Sequence, residues 1–475
     1  MANVIVAFWS TNGRVMYDAI RDSFLKNGNN VMYLDMFNYI SFTHWGESYV
    51  INNEDKEYLW KKISQFKPDV VLSFNNIFPH FFVEKLNCPI CVADADRPSL
   101  GFWHKDILKK NKDRYIFLGF QKTSKELYTD LFGDIKNYFY WPAATTIKNT
   151  HSKKLNNISF IGSSFLYLGI IVPNHNYNFV KDKKLFNDII IAHKSLNGEF
   201  CDNFNKLKTL CFPKEQDSYI NKIYQYLHSN HISGIERISY LTVLSDLGLK
   251  IYGLDLWREL LYFDINLANC FDDTPISTFQ DNLKIYNDSK IAVNISHKQA
   301  TSAFSWRVMD IMASGACLLM EDKPDWRELF EKYLSKETLE TVIYKDRFDM
   351  RKKAIKLLND EELRVRCVAD LNKAIEKNGR WEIRFKELET YTGVKLLNSD
   401  NKNSEIIFMQ KTEQKTIQNP NKKDKGFIQR LKLKNRIKIF IYSLFLALAQ
   451  IPILDLFQKK KRRNKLLNKI NKYWR

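Results

Sequence analysis

Short apolar runs alternate with helix-like stretches through the first 145 residues, and this alternation restricts the fold more than any other feature of the chain. Asn3–Phe8 is a run of strand length that ends at the turn cluster Ser10-Thr11-Asn12-Gly13. A helix-like stretch from Arg14 to Lys26 follows, and Val31–Asp35 reads as a second strand. A strand, a crossover and another strand in that order predict parallel pairing, because parallel neighbours cannot be joined by a tight turn. The pattern recurs. Asp55–Phe66 is helix-like, Val70–Phe74 extended and Pro79–Leu86 a short helix; then come Pro89–Ala93, Tyr115–Leu118, a helix at Ser124–Leu131 and Tyr138–Pro142. Residues 1–145 are therefore expected to form one doubly wound α/β domain, with a ligand crevice at the carboxyl ends of its strands.

The polar stretch Thr145–Asn157 reads as an interdomain linker, and a second α/β pattern opens at Ile158–Ile161 with turn residues Gly162–Ser164 behind it. Helical patterning fills 165–247 as an insertion. Strand signals return at Lys250–Gly253, Ile291–Ile295 and Ala316–Met320, the last two flanking a helix at Ser305–Ala313. The expected second domain is 155–395, which agrees with a length of 475 residues, too great for a single core. Residues 396–426, rich in Asn, Lys and Gln, read as a polar linker, and 427–475 as a tail. The net charge of +19 belongs to that tail: 421–475 holds 17 Lys+Arg against 2 Asp+Glu, so the remaining 420 residues carry only +4. A near-neutral body is not expected to bind nucleic acid. Seven thinly spread cysteines argue against a disulfide framework and for a reducing, cytoplasmic setting. Met1-Ala2 runs straight into the first apolar stretch with no basic segment ahead of it, so no secretory leader is expected.

Several motifs are absent. No two glycines lie two positions apart, which removes the dinucleotide fingerprint, and there is no phosphate loop, no H-E-x-x-H and no G-x-S-x-G. Cys88 and Cys91 have metal-site spacing but no second pair, and they lead into a buried strand, so both read as structural and no metal ligands are assigned. The most informative segment is Phe304–Gly315, a helix closed by glycine. Ser302 and Ser305 offer capping oxygens near its start, where free backbone N–H groups favour an anion. Arg307 and Asp310 share a face of it. A guanidinium suits a diphosphate and a carboxylate suits a ribose diol, while the plain alternative is an i,i+3 ion pair.

Ile251–Trp257, Ile285–Ile295 and Arg307–Gly315 resemble the C-terminal domain of CgeB-like glycosyltransferases. Ile158–Ser163 is similar to the first strand and loop of that domain, and Lys67–Phe74 and Pro142–Ala144 to landmarks of the family's N-terminal half. The resemblance covers roughly residues 1–395 and is dense from 237 to 330. It implies a GT-B architecture: two Rossmann-like domains facing across a cleft, with a nucleotide-sugar donor held mainly by the second. Asp310 matches the second Glu of the Glu-x7-Glu motif of retaining GT-B enzymes, which implies a ribose contact. The first Glu falls on Ser302, a departure that leaves the retaining outcome unassigned. Gly162 and Ser163 match the loop beside the diphosphate, which Arg307 would clamp. Gly253, Asn294, His297 and Lys298, at or just after strand ends, complete the expected donor side, although His297 and Lys298 also fit simple solvation.

Asp94-Ala95-Asp96 follows an apolar strand on the acceptor side. A D-x-D holds a divalent cation in single-domain transferases, but here two domains are expected, and Asp96 reads as a base toward an acceptor hydroxyl, with His104 nearby; an exposed turn is the alternative. In the tail, Ile439–Leu454 would span roughly 24 Å as a helix, short of the ~30 Å hydrocarbon core, and basic clusters flank it on both sides. It reads as an interfacial anchor on an anionic membrane, or as a helix docked on protein. The expected function is transfer of a sugar from a nucleotide-sugar to a glycan, lipid-linked or protein acceptor at the cytoplasmic membrane face, with no cofactor or metal required. The alternatives are an inactive nucleotide-sugar or glycan-binding scaffold and a nucleic-acid binder acting through the tail.

Overall fold

The computed structural model describes residues 1–10, 15–44, 48–98, 102–165, 183–196, 204–225, 227, 232–253, 255–262, 264–398 and 404–409. The chain divides into two units, 1–410 and 411–475, and all the described structure lies in the first. The anchor expected at 427–475 and the turn residues Thr11–Gly13 fall outside the described residues. Among the described residues no helix is long and apolar enough to cross a membrane.

The first eight strands are β1 (Asn3–Phe8), β2 (Asn30–Asp35), β3 (Ser41–His44), β4 (Ser48–Val50), β5 (Val70–Phe74), β6 (Ile90–Ala93), β7 (Tyr115–Gly119) and β8 (Tyr138–Tyr140). The next six are β9 (Asn156–Ile161), β10 (Leu249–Tyr252), β11 (Phe271–Asp272), β12 (Ser289–Asn294), β13 (Cys317–Glu321) and β14 (Ile343–Tyr344), and the last is β15 (Ile406–Met409). They build two large parallel sheets, ordered β15-β2-β1-β5-β6-β7-β8 and β11-β10-β9-β12-β13-β14, while β3 and β4 form a separate antiparallel hairpin. The architecture is thus two parallel-sheet α/β domains, as expected. Each sheet is covered on both faces, which is why its strands are continuous apolar runs rather than alternating ones. In β1, Ile5 and Ala7 enter one core while Val4, Val6 and Phe8 enter the other.

The domain boundaries differ from the sequence reading at the C-terminal end. The helix Trp381–Thr392 returns to the first sheet, where Phe385 stacks on Phe24 with centroids 4.1 Å apart and Tyr391 stacks on Phe139 at 3.8 Å. β15, inside the stretch read as a polar linker, then pairs with β2 as the sheet's edge strand. The N-terminal half therefore consists of the first 145 residues plus 381–409, and the C-terminal half ends near Gly379. The two chain crossings are bonded to each other: Thr145 N–H donates to the Gly379 carbonyl at 2.9 Å, and Arg380 donates to the Ile147 carbonyl at 2.5 Å. Within 165–247 the helices Lys183–Ser195, Phe204–Cys211 and Asp217–Gln225 pack a small core of their own around Ile189, Leu207, Ile220 and Ile223.

Candidate functional site

In the second sheet the chain leaves β9 toward β10 and β11 on one side and then builds β12, β13 and β14 on the other. The order reverses between β9 and β12, and ligands of open α/β sheets bind beyond the carboxyl ends of the strands at such a point. The segments that emerge there are Gly162–Phe165 after β9 and Ile295–Lys298 after β12. Arg237, on the buried face of the helix Ser233–Thr242, straps them together. Its guanidinium donates to the Ser163 carbonyl at 2.6 Å and to the Ile295 carbonyl at 2.7 Å, and it lies over the Phe165 ring at 4.4 Å. Burial, with Arg307 nearby, pushes its pKa down to about 9. It remains a cation at neutral pH, and among the described residues it has no carboxylate in ion-pair contact.

Arg307 opens the helix Arg307–Ala313. Burial lowers its pKa, and among the described residues its guanidinium makes no hydrogen bond or ion pair. The i,i+3 bridge to Asp310 does not form: the Asp310 carboxylate accepts the Thr145 hydroxyl at 2.6 Å, and burial pushes it up to about 6. His297 sits beside these cations with its ring against Phe165 at 4.7 Å. Burial first, then Arg237, Arg307 and Lys298, push it down to about 3, so the ring is neutral. Its Nδ1 accepts from the Gln299 N–H at 3.1 Å, which puts the ring proton on Nε2. Lys298, by contrast, is satisfied by Glu236 at 2.6 Å. Among the described residues neither guanidinium is bonded to a carboxylate, and with the His297 N–H donor beside them they form a site suited to an anion.

The other expected donor-side residues are placed as follows. Gly162 has no N–H to spare for a phosphate, since it donates to the Tyr252 carbonyl at 2.9 Å; its carbonyl accepts from Trp257 Nε1 at 2.7 Å. Ser163 Oγ accepts from the Phe165 N–H at 3.2 Å, a bond within the loop. Gly253 has φ +152°, and a Cβ there would meet the Gly162 carbonyl oxygen at 2.4 Å, so glycine permits the β9 and β10 loops to approach. Asn294 is buried beneath the loop, donating to Ser296 Oγ at 3.1 Å. Ser302 does not act as the cap its sequence position suggests. It is turned toward Asp325, 3.1 Å away, and Thr123 of the other half, 3.0 Å away, because the helix begins only at Arg307. Ser305 does supply an oxygen there, accepting from the Arg307 N–H at 3.3 Å.

On the N-terminal side the two carboxylates of the D-x-D diverge. Asp94 is buried, accepts from the Phe120 N–H and from Ser124 Oγ, and is pushed up to about 7 by burial. Asp96 is exposed and accepts from Asn75 Nδ2 at 3.0 Å and from Gln299 Nε2, across the halves, at 3.1 Å. His104 makes no hydrogen bond to it. Its ring packs against Tyr49 at 4.4 Å and His80 at 5.4 Å, and burial together with His80 pushes it down to about 4. Among the described residues no three His, Cys, Asp or Glu side chains are grouped as a metal would need. The structure thus gathers Arg307, His297, Lys298 and the Gly162–Ser163 loop at one switch point, and it adds Arg237 and Gln299, which the sequence reading left unassigned.

Residues 240–390 match the family model described as glycosyl transferase-like, a span that includes the β12–β13 part of this site and the helix carrying Arg307 and Asp310. No curated protein matches the chain in sequence. Among solved structures, the chain is similar to T4 phage BGT in complex with UDP and Mn2+, at 12% identity and TM-score 0.45, over 83% of this chain and all (100%) of that one. It is also similar to a mutant of S. aureus TarM in complex with fondaparinux, alpha-GlcNAc-glycerol and UDP, at 12% identity and TM-score 0.41, over 73% of this chain and 60% of that one. An alpha-glucosyltransferase in complex with UDP and a 13-mer DNA matches at 10% identity and TM-score 0.45, over 83% and 100%. At such identities and scores these likenesses assign no role to any residue.

Proposed function

We propose that this chain transfers a sugar from a nucleotide-sugar donor to an acceptor hydroxyl in the cleft between its two halves. The observation that carries the reading is the pair of guanidinium groups, buried Arg237 and half-buried Arg307, neither bonded to a carboxylate among the described residues, beside neutral His297 at the switch point of a sheet, within or next to the segment that matches a glycosyl transferase-like family. Departure of a nucleoside diphosphate leaves negative charge on its terminal phosphate as the anomeric C–O bond breaks. Fixed cations and an Nε2–H donor in a water-poor site stabilise that charge. In this reading Arg307 faces the diphosphate and Arg237 holds the two loops around it. Asp310, with one oxygen on Thr145, offers the other to the ribose. Asp96 takes the proton from the acceptor hydroxyl as the new glycosidic bond forms. The cations do this work without a metal, and the acceptor is a glycan, lipid-linked or protein group brought close by a tail, 427–475, resting on the cytoplasmic membrane face.

The test is thermal unfolding of the full chain with UDP, GDP, UDP-glucose, UDP-N-acetylglucosamine and GDP-mannose, since a ligand of the native state raises the melting temperature with concentration. At least one is expected to do so. Arg307→Ala should fold normally and bind it at least tenfold more weakly, as loss of one charge-assisted contact is worth about 1.5–3 kcal/mol. Equal shifts for wild type and Arg307→Ala would remove Arg307 from the site. Nucleotide binding without turnover on any acceptor would select the scaffold reading instead.

A further inference from the structure

Gln299 bonds to residues of both halves, using all four of its polar groups. Its side-chain Nε2 donates to Asp96 Oδ1 at 3.1 Å, and its Oε1 accepts the Arg97 N–H at 3.3 Å. Its own backbone N–H donates to His297 Nδ1 at 3.1 Å, and its carbonyl accepts from Gln121 Nε2 at 3.3 Å. From the other side Asn75, in the left-handed conformation at φ 53°, accepts the Ala95 and Asp96 N–H groups at 2.9 and 3.0 Å and donates to Asp96 Oδ2 at 3.0 Å. Each oxygen of an exposed carboxylate therefore receives one neutral amide N–H, and among the described residues no cation pairs with it. Amide N–H groups fix the direction of the carboxylate's lone pairs through neutral bonds, weaker than the charge-assisted bonds that Lys or Arg would make.

We propose that Gln299 is a positioning residue that couples docking of the donor half to the aim of Asp96. When the loop after β12 is seated and His297 is in place, the Gln299 amide reaches across and orients the carboxylate toward the acceptor; when the halves separate, that bond goes and the carboxylate swings on Asn75 alone. This rests on the reading of Asp96 as the proton acceptor. Two side chains from loops of the two different halves hold this exposed carboxylate.

The experiment uses the full chain and the nucleotide-sugar, among the three sugars named above, that raises the melting temperature most, and it follows nucleoside diphosphate release with water as acceptor. Gln299→Ala is expected to lower kcat by about tenfold or more with the donor KM within about twofold, the pattern of an interaction made in the transition state. Gln299→Glu places a second carboxylate against Asp96. A like charge raises the Asp96 pKa, so the acid limb of the kcat/KM profile should move upward by roughly one pH unit. A merely structural Gln299 would lower the melting temperature of both variants and leave the acid limb where wild type has it, and that result overturns the proposal. Asp96→Asn separates the two readings. If it retains wild-type turnover, the base assignment itself is wrong; if it is inactive while Gln299→Glu leaves the acid limb unmoved, only the coupling fails.

Discussion

Burial, and after it the positive charges of Arg237, Arg307 and Lys298, keep the His297 ring neutral, its pKa pushed down to about 3. In the unfolded chain a histidine titrates near its ordinary value of 6.5. Below that pH the unfolded state takes up a proton the folded state refuses, so the stability owed to this group is full above about pH 6.5 and drains away toward pH 3. His297→Gln should flatten the fall in urea midpoint between about pH 6.5 and 4. Asp94 carries the opposite sign. Its carboxyl, pushed up to about 7, keeps a proton that the unfolded chain gives up near 3.8, so its contribution is present in acid and lost as pH rises to 7. Asp94→Asn should raise the urea midpoint relative to wild type at about pH 8 and much less at about pH 4. At this scale the site was partly legible. The spacing of Arg307 and Asp310 placed them on one helix of the candidate site, but a shared helical face does not reveal what other elements bring to it, and Thr145 bonds the carboxylate. Arg237 does carry a sequence signal: Ser233, Arg237 and Leu241 recur every fourth position on a buried face, and an arginine there needs a reason.

Strands buried on both faces announce themselves as unbroken apolar runs, and the central strands of both sheets were readable on that ground. Those that escaped are short or sit at edges. β11 and β14 have two residues each, too few to show any period, and β15 is four apolar residues set in an Asn- and Lys-rich stretch. Composition argued for a linker; the exposed edge of β2 provided a partner. Pairing at that edge gives a prediction. Ending the chain after Gln410 should preserve cooperative unfolding, whereas ending it after Asn398 should deprotect the β2 amides in hydrogen exchange and lower the denaturation midpoint. Equal protection in the two truncations would show that β15 adds nothing to the sheet. The final helix is a similar case. Trp381, Phe385 and Leu388 are fully buried, yet only the fold tells which half they are buried in.

The two halves meet through polar and aromatic contacts. Asp325 accepts the Lys122 N–H at 3.0 Å, the Ser302 and Thr123 hydroxyls lie 3.0 Å apart, Gln121 accepts from Thr301, and Phe120 stacks on Trp306 at 6.3 Å. Asp325→Ala would leave the Lys122 N–H without its acceptor, which costs about 1–3 kcal/mol, and small-angle scattering should report a larger radius of gyration. An unchanged radius together with unchanged stability would mean the seam is held elsewhere. The return of 381–409 to the first sheet also bears on how the molecule is made. The N-terminal half cannot be completed from the residues that leave the ribosome first: its covering helix and its edge strand are translated only after the whole second half. At about 5–20 residues per second, that interval lasts from roughly a quarter of a minute to almost a minute. Throughout it the nascent chain carries an unpaired β2 edge and an uncovered apolar face around Phe24, so the first half to be synthesised is the last to be finished, and this is the stage at which the protein most depends on whatever shields nascent chains in the cell.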